Sequence, residues 1–238
     1  MGHGNVLFGL NLGNIASEYC RITLERRVSI VDYRTLLTRE RCWDREAQSL
    51  LESSGEGKID AILQNREELI GLCEFIETHR IRSYLEIGIW TGRLVSALHR
   101  IFHFDRVAAA DHGWAQDCGL AISLPEDADF FFGNSDSDEF MEWRRSLGKF
   151  DLVLIDANHR YHAVRKDFEI NRQFPHRFLA FHDITGCNPG TEGVARLWNE
   201  LKQDASRENH GCWEIVRPHK ELGLAHSVMG IGVWAEER

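Results

Sequence analysis

The stretch Tyr84-Leu85-Glu86-Ile87-Gly88-Ile89-Trp90-Thr91-Gly92-Arg93-Leu94 decides the fold. A buried strand runs into a tight glycine turn, and the turn opens an amphipathic helix. Gly88 lets a ligand approach the backbone where a Cβ would collide, and Gly92 lets the first helical turn pack close to the strand. Free amides at the helix N-terminus suit a ligand's carboxylate or other polar groups. Nucleotide cofactors bind at this carboxyl edge of such a sheet. A glycine pair alone also fits a purely structural turn. Here the dinucleotide fingerprint G-x-G-x-x-G is absent, which disfavours a nicotinamide enzyme, and Glu86 stands two residues before the first glycine.

Outward from this turn, apolar runs alternate with helical stretches. Ser83–Ile87, Arg106–Ala110, Asp129–Phe132, Phe150–Ile155 and Phe178–Phe181 read as strands, with helices over Arg93–Phe102, His162–Phe174 and Glu192–Lys202. Strands apolar on both faces and separated by helices predict a parallel sheet covered on both sides. Trp213–Val216 and Gly230–Trp234 read as a closing antiparallel pair. Upstream, Ile59, Ile62, Leu63, Leu69, Ile70, Cys73 and Ile76 recur at helical spacing, predicting one helix from Lys58 that ends before Ser83. Val28–Leu51 carries scattered apolar residues at roughly helical spacing, and Ser53–Gly57 looks like a linker. The expected division is a helical extension over 1–57, forming a lid or an oligomer contact, and a main domain over 58–238.

A second constellation lies at the far strands. In Phe150-Asp151-Leu152-Val153-Leu154-Ile155-Asp156-Ala157-Asn158-His159, four apolar residues deliver Asp156 to a carboxyl strand end, with His159 three residues on. One strand later, Phe181-His182-Asp183 brings two more polar groups to the same edge. Neighbouring parallel strands lie about 5 Å apart, so Asp156 and Asp183 can converge on one ion. Oxygen ligands suit Mg²⁺, and His182 tilts the choice toward Mn²⁺. Such an ion would lower the pKa of an acceptor hydroxyl while a base takes its proton. The plainer alternative has both aspartates capping helices, His182 bonding a backbone carbonyl and His159 at the surface.

Glu-Ile-Gly-Ile-Trp-Thr-Gly resembles the first motif of class I S-adenosylmethionine-dependent methyltransferases. Its central aromatic, Trp90, is similar to the catechol O-methyltransferase-like branch and to the macrocin and cephalosporin-type tailoring enzymes. The resemblance implies cofactor contacts from Glu86, Gly88, Trp90, Thr91, Gly92 and Asp156. It makes Asp111 the acid for the ribose hydroxyls, and Ser135 or Asp136 an adenine-side contact. Asp156-x-x-His159 resembles the macrocin-type pattern, implying His159 as catalytic base and Asp156, His182 and Asp183 around a divalent metal. His182-Asp183 departs from the usual Glu-Asp or Asp-Asn pair, although His-Asp also occurs in class-24-like methyltransferases. The implied fold is a doubly wound, Rossmann-like α/β sheet of seven strands, the last inserted antiparallel between the fifth and sixth. The implied reaction is methyl transfer from S-adenosylmethionine to a hydroxyl of a sugar, natural product or phenol.

Composition sets outer bounds. The 238 residues carry 37 acids against 28 Lys and Arg, a net charge of -9, with no basic face for nucleic acid. Six cysteines without a CxxC pair read as free thiols in a reducing cytosol. No secretory signal or membrane-length apolar run is visible. The chain is expected to be cytoplasmic and homo-oligomeric, binding neither nucleic acid nor membrane. Two rivals stand beside the methyltransferase. One is a nucleotide-dependent oxidoreductase or epimerase, for which Tyr161 and Arg165 supply no Tyr-x-x-x-Lys pair. The other is a catalytically inactive relative serving as a binding subunit.

Overall fold

The computed structural model describes residues 31–40, 42–43, 60–218 and 228–236. Most of the 1–57 extension and Cys20 lie outside these residues. Its described part begins with helix α1 (Tyr33–Thr38), where the Asp32 carboxylate accepts from the Thr35 amide and caps the first turn. Tyr33 and Leu37 are buried in the same apolar cluster as Leu69 and Leu72 of the main domain. Strand β1 (Cys42–Trp43) pairs in parallel with β2 (Ile62–Asn65).

The single helix expected from Lys58 is therefore corrected: helix α2 spans Arg66–Thr78. The Asn65 side chain accepts from the Glu67 amide at 2.8 Å and starts the helix there. Ile62 and Leu63 fit a helical period, but β1 gives their backbone a ladder partner, and that tertiary pairing wins. Lys58 and Ile59 lie outside the described residues.

The main sheet contains β3 (Ser83–Ile87), β4 (Arg106–Asp111), β5 (Asp129–Phe132), β6 (Phe150–Ile155), β7 (His176–His182), β8 (Gly211–Ile215) and β9 (Ile231–Ala235). Their order is β5-β4-β3-β6-β7-β9-β8. The first five strands in chain order run parallel, and β9 lies antiparallel between β7 and β8. This is the expected doubly wound sheet of seven strands. The connecting helices are α3 (Arg93–Phe102), α4 (Trp114–Asp117), α5 (Asp138–Leu147), α6 (Tyr161–Arg172) and α7 (Glu192–Glu208). No described helix is long and apolar enough to cross a membrane.

Alternation along the strands builds a core on each face. Tyr84, Leu152 and Leu154 join Leu69, Val95 and Leu98 of α2 and α3. Leu85, Ile87, Val153 and Ile155 join Phe140, Val164, Phe168 and Trp198 of α5, α6 and α7. From β3 the chain winds outward to β4 and β5, then returns to β6 and continues to β7. Strand order thus reverses between β3 and β6, and a crevice opens beyond the carboxyl ends of these strands.

Candidate active site

That crevice is a cavity of about 1000 Å³, lined by the glycine turn, Asp111, the Asp156–Arg160 segment, His182 and Asp183. Among the described residues five non-glycine residues have positive φ; Arg80, His103 and Asn209 follow helix ends. The other two, Trp90 (φ 53°) and Asp183 (φ 61°), both line the cavity. Left-handed backbone costs an ordinary residue about 1–2 kcal/mol, so packing around the cavity must hold these two in place.

At the β4 end, both oxygens of Asp111 are braced by backbone. Oδ2 accepts from the Ile89 amide at 3.0 Å and Oδ1 from the Gly113 amide at 2.6 Å. Each oxygen keeps a further lone pair, so the fixed carboxylate can still accept two hydroxyls. This arrangement matches a ribose diol. Around the turn, Thr91 is buried with Oγ1 unpartnered among the described residues, and Trp90 packs edge-on against Trp114 with ring centroids 5.0 Å apart.

Gly88 has a different steric reason from the one its motif suggested. With φ +83°, a Cβ there would lie 2.4 Å from the Asp156 carbonyl oxygen and 2.5 Å from the Ala157 Cα. The glycine allows the ends of β3 and β6 to touch, which carries Asp156 to the turn. Gly92 similarly admits the Ser123 carbonyl, which a Cβ would approach to 2.6 Å.

Glu86 is buried beneath the turn and accepts from the Tyr84 hydroxyl at 2.6 Å. Burial pushes its carboxyl up to about 8, although the Tyr84 hydrogen bond opposes the rise. On the outer side, Ser135 donates to Asp167 at 2.6 Å and Asp136 pairs with Lys166 at 3.0 Å. Burial raises the Asp167 carboxyl to about 6, against that serine bond.

At the β6 and β7 ends, Asp156, His159, His182 and Asp183 form one cluster. Asp156 Oδ1 lies 3.3 Å from His159 Nε2 and 3.2 Å from His182 Nδ1. Asp183 Oδ2 lies 3.5 Å from His159 Nε2 and 3.3 Å from His182 Nδ1. His182 is buried and faces carboxylates rather than a backbone carbonyl, with Nε2 unpartnered among the described residues; the His159 side chain is 34% exposed. Burial disfavours the His182 imidazolium, but the charges of Asp156 and Asp183 outweigh it and raise its pKa well above the ordinary 6.5. Burial likewise opposes an ionised Asp156, yet the His182 charge and the bonds from both histidines hold its carboxyl well below the usual range.

The donors lying within 4.8 Å of one another are those of Asp156, His159 and Asp183. Two carboxylates and an imidazole are a donor set that fits a divalent ion. His182 meets the same carboxylate oxygens from the buried side.

Three further residues support these groups. Gln64 of β2 donates through Nε2 to Asp156 Oδ2 at 2.6 Å. Asn188 donates to Asp183 Oδ1 at 3.3 Å, and Trp114 covers Trp90. Gln64 left a weak trace in the sequence, as the first of five polar residues, Gln64–Glu68, that follow the apolar Ala61–Leu63.

No protein-family model matches the chain, and no curated protein matches it. Solved structures do. An O-methyltransferase from Bacillus cereus in complex with SAH is 13% identical over 81% of this chain and 91% of its own, with a TM-score of 0.53. TomG from Streptomyces achromogenes, an O-methyltransferase involved in tomaymycin synthesis and solved with SAM, is 17% identical over 85% and 90%, with a TM-score of 0.53. MycE from the mycinamycin biosynthetic pathway, solved with Mg and SAH, is 14% identical over 71% of this chain and 48% of its own, at 0.50. At these identities the likeness is one of fold: the α/β, Rossmann-like fold of S-adenosylmethionine-dependent O-methyltransferases.

Proposed function

We propose that the chain binds S-adenosylmethionine across the β4–β3–β6 edge and transfers its methyl group to a hydroxyl oxygen of a small molecule. One observation carries this reading. A braced, diol-accepting carboxylate at Asp111 and an acid–imidazole cluster at Asp156–His159 open into the same cavity. They sit two strand spacings apart, about 10 Å. Bound there, the cofactor would supply an electrophilic sulfonium methyl. Holding it against the acceptor oxygen provides much of the acceleration through proximity, and His159 takes the hydroxyl proton.

The donor set also supports metal assistance. In that arrangement Asp156, His159 and Asp183 would hold the ion, which would lower the pKa of an acceptor hydroxyl, and His159 would act as a ligand in place of the base. On the same reading, residues 58–238 are the catalytic domain. Residues 1–57 form an extension that covers it or joins copies into a homo-oligomer. The oxidoreductase rival loses further support because the Tyr161 hydroxyl is engaged with Glu200 and Arg165 rather than with a lysine.

The cofactor half is tested by titration calorimetry with S-adenosylhomocysteine. Asp111→Ala should weaken binding tenfold to a hundredfold, the scale of one or two lost charge-assisted hydrogen bonds. Equal affinity in wild type and variant would remove Asp111 from the site.

A further inference from the structure

Gln64 stands on β2, outside the seven-stranded sheet, yet its side chain reaches the acid–imidazole cluster. It is 3% exposed and lines the cavity. Nε2 donates to Asp156 Oδ2 at 2.6 Å, while Oε1 is buried without a partner among the described residues. The bond to a carboxylate fixes which way the amide is turned: the N–H side must face Asp156, so the carbonyl oxygen faces elsewhere.

The backbone beneath it is pinned. β2 pairs with β1, Asn65 Oδ1 accepts from the Glu67 amide and caps α2, and Asn65 Nδ2 donates to the Arg217 backbone carbonyl at 2.7 Å. Gln64 therefore has little freedom to swing and find another donor. Buried carbonyl oxygens without donors are costly and uncommon. In a residue that lines the cavity, such an oxygen points to a donor brought by the ligand.

The order of groups along the strand ends says which part of the ligand that is. A ligand whose ribose rests on Asp111 and which crosses Gly88 toward β6 brings its far end to Asp156 and Gln64. For an S-adenosylmethionine-type molecule, the amino-acid end carries an ammonium with three N–H donors. We propose that Gln64 is a cofactor-binding residue: Oε1 accepts from the α-ammonium of the bound cofactor while Nε2 holds Asp156 in place. The assignment rests on the cofactor reading above. It gives β2 a part in the site, because only that strand carries the receiving oxygen.

The test compares S-adenosylhomocysteine with its desamino analogue, which lacks the α-amino group, by calorimetry on the full chain. Wild type should prefer the amino form by tenfold or more, and Gln64→Met should lose about tenfold of that preference. Thermal melts show whether the variant is folded. If it is not, the wild-type preference still decides, since equal affinity for both compounds overturns the proposal. A folded variant that keeps the full preference also overturns it. Wild type that binds neither compound would instead overturn the cofactor reading itself.

Discussion

Alanine at position 159 should lower methyl-transfer turnover by about a hundredfold or more, with S-adenosylhomocysteine affinity staying within about twofold of wild type. General bases typically contribute 10²–10⁴ in rate, and His159 is the imidazole of the cluster that keeps substantial exposure. The pH profile should carry its signature. Burial lowers the His159 pKa, but the hydrogen bond and charge of Asp156, with the charge of Asp183, outweigh it and leave the pKa above 6.5. A base works in its neutral form. The wild-type rate should therefore be low at acid pH and climb with rising pH through a limb above 6.5. That limb should vanish in His159→Ala. The same profile in the presence of a chelator separates the two roles open to this residue. If turnover and limb survive chelation, His159 is a metal-free base. If turnover collapses and Mg²⁺ or Mn²⁺ restores it, His159 belongs to the ligand set with Asp156 and Asp183. Full activity in the alanine variant would exclude both.

Glu86→Gln should stabilise the folded protein at pH 8 and give little gain near pH 4.5. Buried on β3, Glu86 is protonated in the folded state until about pH 8, mainly through burial. An unfolded chain ionises it near its ordinary value of 4.5. Between these values the unfolded state binds fewer protons than the folded one, so stability falls as pH rises. A rise to about 8, at about 1.4 kcal/mol per pH unit, corresponds to a loss on the order of 5 kcal/mol by pH 8. Glutamine cannot ionise and still offers an oxygen to the Tyr84 hydroxyl, although its amide N–H groups add a pH-independent cost. Urea unfolding of both proteins at pH 5 and pH 8 gives the comparison. An equal difference at the two pH values would show that Glu86 is not held protonated.

Much of the scaffold was legible because the strands carry strong signals. Leu152–Ile155 is apolar on both faces and ends in a polar residue, which reads as a buried parallel strand delivering Asp156. The same logic placed Asp183 at the next strand end. Helix α5 escaped notice because its apolar stripe is short, Phe140, Trp143 and Leu147, and is interrupted by Arg144 among mostly polar residues. The start of α2 was misplaced because Ile62 and Leu63 satisfy a helical period while their partner strand is only two residues long, at Cys42–Trp43.

In the site, residue types and strand ends could be read, but the contacts could not. Nothing in the local sequence says that Gly88 makes room for Asp156 rather than for a ligand, because that contact joins residues 68 positions apart. Gln64 and Asp156 are 92 positions apart and meet only through the placement of β2. His182 likewise looked like a metal ligand, whereas its Nδ1 also serves as the buried counter-charge shared by two carboxylates.

The central claim is an oxygen-directed methyl transfer from S-adenosylmethionine, and product analysis tests it most directly. The full chain, S-adenosylmethionine with a ¹³C-labelled methyl group, and a panel of sugars, phenols and hydroxylated natural products would be incubated with and without Mg²⁺. Products would be read by mass spectrometry and carbon NMR. The account predicts a labelled methyl ether on at least one acceptor, lost in Asp111→Ala at limiting cofactor. Cofactor binding without transfer to any hydroxyl, or a label found on nitrogen, carbon or sulfur, would contradict it.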